Sequence, residues 1–161
     1  MKITTLSLFV LITCSPVFSQ EATLDTAKTT SMRIGMTSVY AHNPIEAFQF
    51  YTEILGFVEI MYQPDYNLAI VASPQDKDGT MLLLEPNDHP IAKRYQAELY
   101  KEGFPVIVFV TDNIQEEYER LSQKGVSFKQ KPTVTQWGIE ATFDDQNGNW
   151  IKLHQTKQQE N

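Results

Sequence analysis

From residue 32 onward the spacing of apolar and polar positions changes several times along the chain, and the changes come twice in the same order. Arg33 to Tyr40 has the run of a strand, and His42-Asn43-Pro44-Ile45-Glu46 then starts a helix. Asn43 can accept from the free first-turn amides, Pro44 sits where its missing N–H costs nothing, and Glu46 completes a capping box. Ile45, Phe48, Tyr51 (or Thr52) and Leu55 recur on one helical face, and Gly56 ends the helix through a left-handed turn. Strand patterns follow at Phe57 to Tyr62, Asn67 to Ala72 and Thr80 to Glu85, separated by Pro64-Asp65 and by the turn-rich stretch 73–79.

The second half repeats this order. Val106 to Val110 reads as a strand, and Asp112 caps a helix with Gln115 three residues on. Ile114, Tyr118 and Leu121 mark its apolar face, and Gly125 stops it. Val126 to Lys129, Val134 to Trp137, Ile139 to Asp144 and Trp150 to His154 supply strands, the last two joined by Asp145-Gln146-Asn147-Gly148-Asn149, whose Asn-Gly pair is a hairpin signal. A shift of 69 residues lays Asn43 on Asp112, Ile45 on Ile114, Gly56 on Gly125 and Phe57 on Val126. The pattern predicts an α+β fold over residues 32–156: two tandem βαβββ modules, 32–86 and 104–156, forming a cupped mixed sheet around a cavity. Residues 87–103 link them through a helix over His89 to Tyr100, with Ile91, Tyr95 and Leu99 at four-residue spacing and Gly103 just beyond.

The first residues have a different character. Met1-Lys2 precede an apolar run from Ile3 to Ile12, and Val17 and Ser19 fit a peptidase site, so residues 1–19 read as a signal peptide cut after Ser19. The run is about half of the ~20 residues a membrane span requires, so no transmembrane span is expected. Leu11-Ile12-Thr13-Cys14 is similar to a lipobox, which makes a lipid anchor at Cys14 the alternative. Either way the protein is expected to be exported, periplasmic or extracellular. Because Cys14 is the only cysteine, the mature domain is expected to have neither disulfide nor thiol chemistry. Residues 20–31 read as a flexible tether, and 157–161 as a polar tail.

Composition narrows function. The 161 residues, 42% hydrophobic and 20% charged, suffice for one domain with a small cavity. Thirteen basic against twenty acidic side chains leave a net charge of -7, which argues against a nucleic-acid partner and suits a cationic ligand. No Gly-x-Ser-x-Gly elbow and no phosphate-cradling Gly-rich loop occurs. The three histidines, His42, His89 and His154, are too dispersed to form a local metal or base motif.

Phe50-Tyr51-x-x-x-Leu55-Gly56-Phe57 in the first module and Asp145-x-x-Gly148-Asn149-x-x-x-Leu153 in the second resemble the vicinal oxygen chelate superfamily over Met32 to Gln155. That superfamily includes glyoxalases, extradiol dioxygenases, fosfomycin-resistance transferases and bleomycin-resistance binding proteins. The resemblance implies the glyoxalase/bleomycin-resistance/dioxygenase fold, commonly a homodimer. It also implies four cation-ligand positions, which fall on Met36, Glu85, Pro105 (or Val106) and Lys152. A thioether, a proline and an ammonium are poor partners for a hard divalent ion. Only Glu85 is a fitting donor, with His154, two residues after Lys152 on the same strand face, as a weak second.

No cofactor is therefore expected, a divalent metal at Glu85 and His154 being the alternative. Lys152 either pairs with Glu85 across the cavity or projects to solvent, with Glu85 capping a turn before Pro86. Trp137, beside Gly138, is placed at the cavity edge where an indole can stack on a ligand. The expected ligand-binding residues are Met36, Tyr40, Glu85, Trp137, Lys152 and His154. The expected function is binding of a small organic molecule without a metal. The alternative is a glyoxalase- or dioxygenase-like enzyme with Glu85 as the candidate base.

Overall fold

The structure is a computed structural model that describes residues 31–157. The leader with Cys14 and the Ser19 cleavage point, the tether up to residue 30 and the last four tail residues lie outside the described residues. The elements run β1 (Met36–Ala41), α1 (Pro44–Gln49) continuing as a π-helical turn over Phe50–Leu55, β2 (Val58–Gln63), β3 (Leu68–Ala72), β4 (Met81–Pro86), α2 (Pro90–Glu102), β5 (Pro105–Val110), α3 (Ile114–Gln123), β6 (Phe128–Val134), β7 (Gly138–Asp144) and β8 (Trp150–Thr156). Each module forms a four-stranded mixed sheet, in the orders β1-β4-β3-β2 and β5-β8-β7-β6. The first and last strand of each module run parallel, β1 beside β4 and β5 beside β8. Both βαβββ modules of the sequence pattern are present.

Strand alternation sorts the side chains. In the first sheet Val39, Ala41, Ala69, Val71, Leu82 and Leu84 turn to the helical side and join a core that continues through Ile114, Leu121, Ala141, Phe143, Ile151 and Leu153 of the second module. The opposite faces carry the mixed and polar positions, among them Tyr40 and Glu85 on one sheet and Glu140, Lys152 and His154 on the other.

The helix starts separate the two modules by one residue. Asn43 caps α1 as expected, accepting from Ile45 N at 3.0 Å and Glu46 N at 3.3 Å. In α3 the cap is Asn113, which accepts from Glu116 N at 3.2 Å, rather than Asp112. The distance from Asn43 to the left-handed Gly56 is thus one residue longer than from Asn113 to Gly125. The π-helical turn, with its wider ring, absorbs that residue. It also buries the neighbouring Phe50 and Tyr51 together, at 6% and 0% exposure, where a regular helix would splay them apart.

Two further expectations change. The strands expected at Val126 to Lys129 and Val134 to Trp137 are replaced by one element, β6 over Phe128–Val134, with Thr135 to Trp137 in the turn that follows. It is an edge strand whose pairing with β7 is interrupted by irregularities, so Pro132 is tolerated there. In α2 the stripe of Ile91 and Tyr95 faces outward, 65% and 57% exposed, whereas Ala92 and Gln96 are buried.

Gln96 is buried because it belongs to a polar cluster that ties the modules together. Its amide nitrogen donates to Tyr40 O at 2.6 Å, Asn147 O at 3.0 Å and Asn149 Oδ1 at 3.1 Å, and its Oε1 accepts from Asn87 Nδ2 at 2.6 Å. At the centre lies Asp145, fully buried. Its carboxylate accepts from the amides of Asn147 (2.8 Å) and Asn149 (2.9 Å), from Asn149 Nδ2 (2.6 Å) and, across the modules, from Tyr51 Oη (3.3 Å). Asn149 Nδ2 also reaches Tyr40 O at 2.8 Å. Gly148, at φ +95°, completes the turn; a Cβ there would come within 2.8 Å of the His42 ring and 3.0 Å of Gln96 Nε2.

Burial raises the Asp145 pKa above its ordinary value, although the donors from Asn149 and the two amides partly oppose it. Burial and the Asp145 charge together push the Tyr51 phenol well up, so it stays a donor.

Two outcomes are expected. Tyr51→Phe, which removes one donor from a buried carboxylate, destabilises the protein by about 1.5 kcal/mol in urea titrations, and Asp145→Asn by about 3 kcal/mol. The second outcome concerns pH. Because the folded pKa of Asp145 is raised, its contribution to stability is complete below the unfolded value of about 3.9 and is lost as pH rises through the folded pKa. The stability gap between the native protein and Asp145→Asn is therefore wider at about pH 4 than at about pH 7.

Candidate functional site

Tyr40 and Glu85 are neighbours across the parallel β1–β4 pair, directly opposite in register. Both point away from the helical side because Val39, Ala41 and Leu84, their strand neighbours, are buried in the core. Pro86 ends β4, and the chain turns at His89, whose Nδ1 accepts from Ile91 N at 3.2 Å and so caps α2. The first turns of α2 then face Tyr40 and Glu85 across a cavity of about 410 Å³, lined also by Pro86, His89, Ile91, Ala92 and Tyr95. The outward stripe of α2 is thus accounted for: Ile91 and Tyr95 wall a cavity instead of filling the core. The walls are mainly apolar, with one carboxylate, one imidazole and two phenols as polar groups.

Lys152 and His154 lie on the second sheet. Both meet Glu140 of β7: Lys152 Nζ lies 3.0 Å from Oε2, and His154 Nδ1 lies 3.6 Å from Oε1. The partner of Lys152 is therefore Glu140, and no Lys152–Glu85 ion pair forms among the described residues. Gly138 makes room for the imidazole, since a Cβ at that position would lie 2.9 Å from His154 Cε1 and 2.2 Å from Gln155 O.

Two expected residues stand outside these groups. Met36 opens β1 and is 42% exposed, four residues from Tyr40 on the same strand. Trp137 sits in the turn between β6 and β7, with its amide donating to Thr135 Oγ1 at 3.2 Å and its side chain 70% exposed. Among the described residues, no group of three or more His, Cys, Asp or Glu side chains comes together as a metal site. At the implied ligand positions the donor chemistry does not suit a divalent ion, and an ammonium already paired with a carboxylate occupies the last of them.

Glu140 was not evident from composition or motif, but the hairpin register contains it. Counting back from the Asn147-Gly148 turn sets Asp144 opposite Trp150, and two steps further on the same face Glu140 opposite His154. His89, Ile91 and Tyr95 carry no such signal, because only the packing of α2 aims them.

Two other cavities lie apart from these groups. One of about 490 Å³ at the start of α3 reaches Phe57, Phe109 and Arg120, but the Arg120 guanidinium is consumed by Glu117 (2.7 Å) and by the carbonyls of Ile54 (2.8 Å) and Leu55 (3.3 Å). The other, of about 330 Å³, lies where Tyr100 stacks on Trp150 at 4.8 Å and donates to Asp144 at 2.7 Å. That hydrogen bond, with burial and the carboxylate charges adding to it, pushes the Tyr100 pKa up to about 12 and keeps the phenol a donor.

The geometry agrees with the kinships of the chain. A protein of Bacillus subtilis (strain 168), the uncharacterized protein YurT, is 44% identical over 126 residues, covering 77% of this chain and 99% of the relative. Among solved structures, TnmS3, described as an antibiotic binding protein from Streptomyces sp. CB03234, superposes with a TM-score of 0.62 at 27% identity, over 80% of this chain and 98% of that one. UcmS2 superposes with a TM-score of 0.66 at 27% identity, over 78% of this chain and 98% of that one. The family model of the glyoxalase/bleomycin resistance protein/dioxygenase superfamily matches residues 33–153, both modules and the linking helix, and the chain belongs to that superfamily.

Proposed function

We propose that this protein binds a small, largely apolar organic molecule, without a metal ion, in the cavity between β1, β4 and α2. The observation that carries the reading is the Tyr40–Glu85 pair beneath a cavity of about 410 Å³ walled by Pro86, Ile91, Ala92 and Tyr95. A concave, mainly apolar space with a few placed polar groups is what a small-molecule site requires. Tyr40 and Tyr95 offer aromatic surface, and Glu85 and His89 fix orientation by hydrogen bonding. Sequestration needs this complementarity and no proton transfer. The likeness to an antibiotic binding protein supports the reading, and the metal-free form of it rests on Met36 and Lys152 standing where ligands are implied.

The protein is further proposed to act outside the cytoplasm as a homodimer. Export rests on the leader at residues 1–19, and dimerisation on membership of a superfamily whose members are commonly homodimers.

The binding reading is tested by thermal unfolding against a panel of small, largely apolar antibiotics. A true ligand at 100 times its Kd raises Tm by about 5 °C or more. Tyr40→Ala and Glu85→Gln are expected to weaken it about tenfold or more while leaving the unliganded Tm within about 3 °C. Stoichiometric uptake of nickel, iron or zinc with turnover of a hemithioacetal or a catechol overturns the metal-free reading and assigns Glu85 as the base. Cell fractionation, the mass of the mature chain and light scattering test the rest. The expected results are an exported protein beginning at Gln20 with twice the mass of one chain; a lipidated Cys14 instead overturns the free-secreted form.

A further inference from the structure

Where the two modules meet on the helical side, the core is not closed. Phe57, just before β2, and Phe109 of β5 lean on each other with ring centroids 5.1 Å apart, over the buried ring of Tyr51. Both are only partly buried, as is Leu55, and they form the bottom of a cavity of about 490 Å³. One wall is Ser73-Pro74-Gln75, the segment after β3; the other is the turn from β5 into α3, with Thr111, Asp112 and Glu116. This side is opposite to the one that carries Lys152 and His154, because Phe109 and its register neighbour Leu153 point into the core. The charges around the cavity are uneven. Glu117 is neutralised by Arg120, whereas no salt bridge among the described residues involves Asp112 or Glu116. The start of α3, where free amides ordinarily invite an anion, is already answered: Gln155 Oε1 accepts from Ile114 N at 2.9 Å and Asn113 Oδ1 from Glu116 N at 3.2 Å. The lining therefore combines accessible aromatic surface at the bottom with uncancelled negative charge at the mouth, on a chain of net charge -7.

We propose that this inter-module cavity is a second binding site, for a small aromatic amine whose ring rests on Phe57 and Phe109 and whose ammonium is taken by Asp112 and Glu116. The two phenyl rings offer edge and face contacts to a flat apolar body. The two carboxylates supply acceptors for a charged donor and repel an anion. The volume falls within the range of about 300–1,000 Å³ in which small-molecule sites lie. Because Leu55, Phe57 and residues 73–75 belong to the first module and the remaining walls to the second, an occupant also cements the junction between them. Its occupancy is independent of the Tyr40–Glu85 cavity, with which it shares no residue.

The test titrates the full chain, by isothermal calorimetry, with three probes that share one naphthalene ring and differ in the end of a short side chain: 2-(1-naphthyl)ethylammonium, 2-(1-naphthyl)ethanol and 3-(1-naphthyl)propionate. The ammonium is expected to bind about tenfold more tightly than the alcohol, and the propionate weakest of the three. Asp112→Asn and Glu116→Gln each weaken the ammonium about three- to tenfold and leave the alcohol unchanged. Phe109→Leu weakens all three probes. So does Gln75→Trp, which crowds the mouth from an exposed position without touching the core, and this separates loss of the site from loss of the fold. The titrations are repeated on Glu85→Gln protein, which lacks the carboxylate of the other cavity, and the preference for the ammonium is expected to persist. Equal affinity for ammonium and alcohol, no binding of any probe, an Asp112→Asn, Glu116→Gln double variant that binds the ammonium as before, or a preference that disappears with Glu85→Gln overturns the inference. If antibiotics stabilise the protein through Tyr40 while the ammonium shows no preference, this inference fails and the proposed function stands. If the ammonium responds to Asp112→Asn and Glu116→Gln while no antibiotic shifts Tm, the reverse holds.

Discussion

One buried carboxylate holds the two halves of this protein in a single arrangement. Asp145 sits in the turn between β7 and β8 and draws donors from its own turn and from Tyr51 of the first module. An ionised group without water is costly unless every lone pair is met, and here the supply of donors compels the turn, the π-helical segment and β1 to stay together. Asn149 and Gln96 extend the constraint to the Tyr40 carbonyl, and Gln96 passes it on to Asn87 at the end of β4. Apolar packing also joins the modules, with Phe109 against Tyr51 and Phe57, but it is not directional. The polar cluster supplies the register.

That register has consequences for the outward face of each sheet. The Tyr40 carbonyl is held by two buried amides, so the Tyr40 side chain leaves β1 at a defined point opposite Glu85. Burying Gln96 rotates α2 so that Ile91 and Tyr95 turn outward over the same pair, forming a cavity wall at the expense of core contacts. On the second sheet the same Asp145 turn sets β7 against β8, and this brings Glu140 beside Lys152 and His154. Two modules with one topology thus present different chemistry on equivalent faces, an aromatic hollow beside α2 in the first and a charged group in the second.

Much of this was legible in the residues. Asn43 with Pro44 and Glu46, Gly56 with its left-handed turn, and the Asn147-Gly148 hairpin are local signals, and each element they mark is present. The less legible parts share a cause. The cap of α3 is Asn113 and not Asp112, because a fixed repeat length conceals the one residue that the first module holds in its π turn. The apolar spacing of α2 marks a helix correctly but does not say which side meets the core. The residues leave Lys152 either pairing with Glu85 or facing solvent, whereas its carboxylate partner stands on the neighbouring strand, at Glu140.

The order of elements, the duplication, the capping residues and the membership of the motifs in their turns follow from the amino-acid sequence itself, because each depends on interactions among residues a few positions apart. Which side of α2 is buried, which carboxylate meets Lys152, and the gathering of Tyr40, Glu85, His89 and Tyr95 around one space were decided only by the tertiary structure. Those outcomes depend on satisfying buried polar groups contributed by segments up to about a hundred residues apart, such as Tyr51 with Asp145 and Tyr40 with Asn149, and no local periodicity encodes such a pairing.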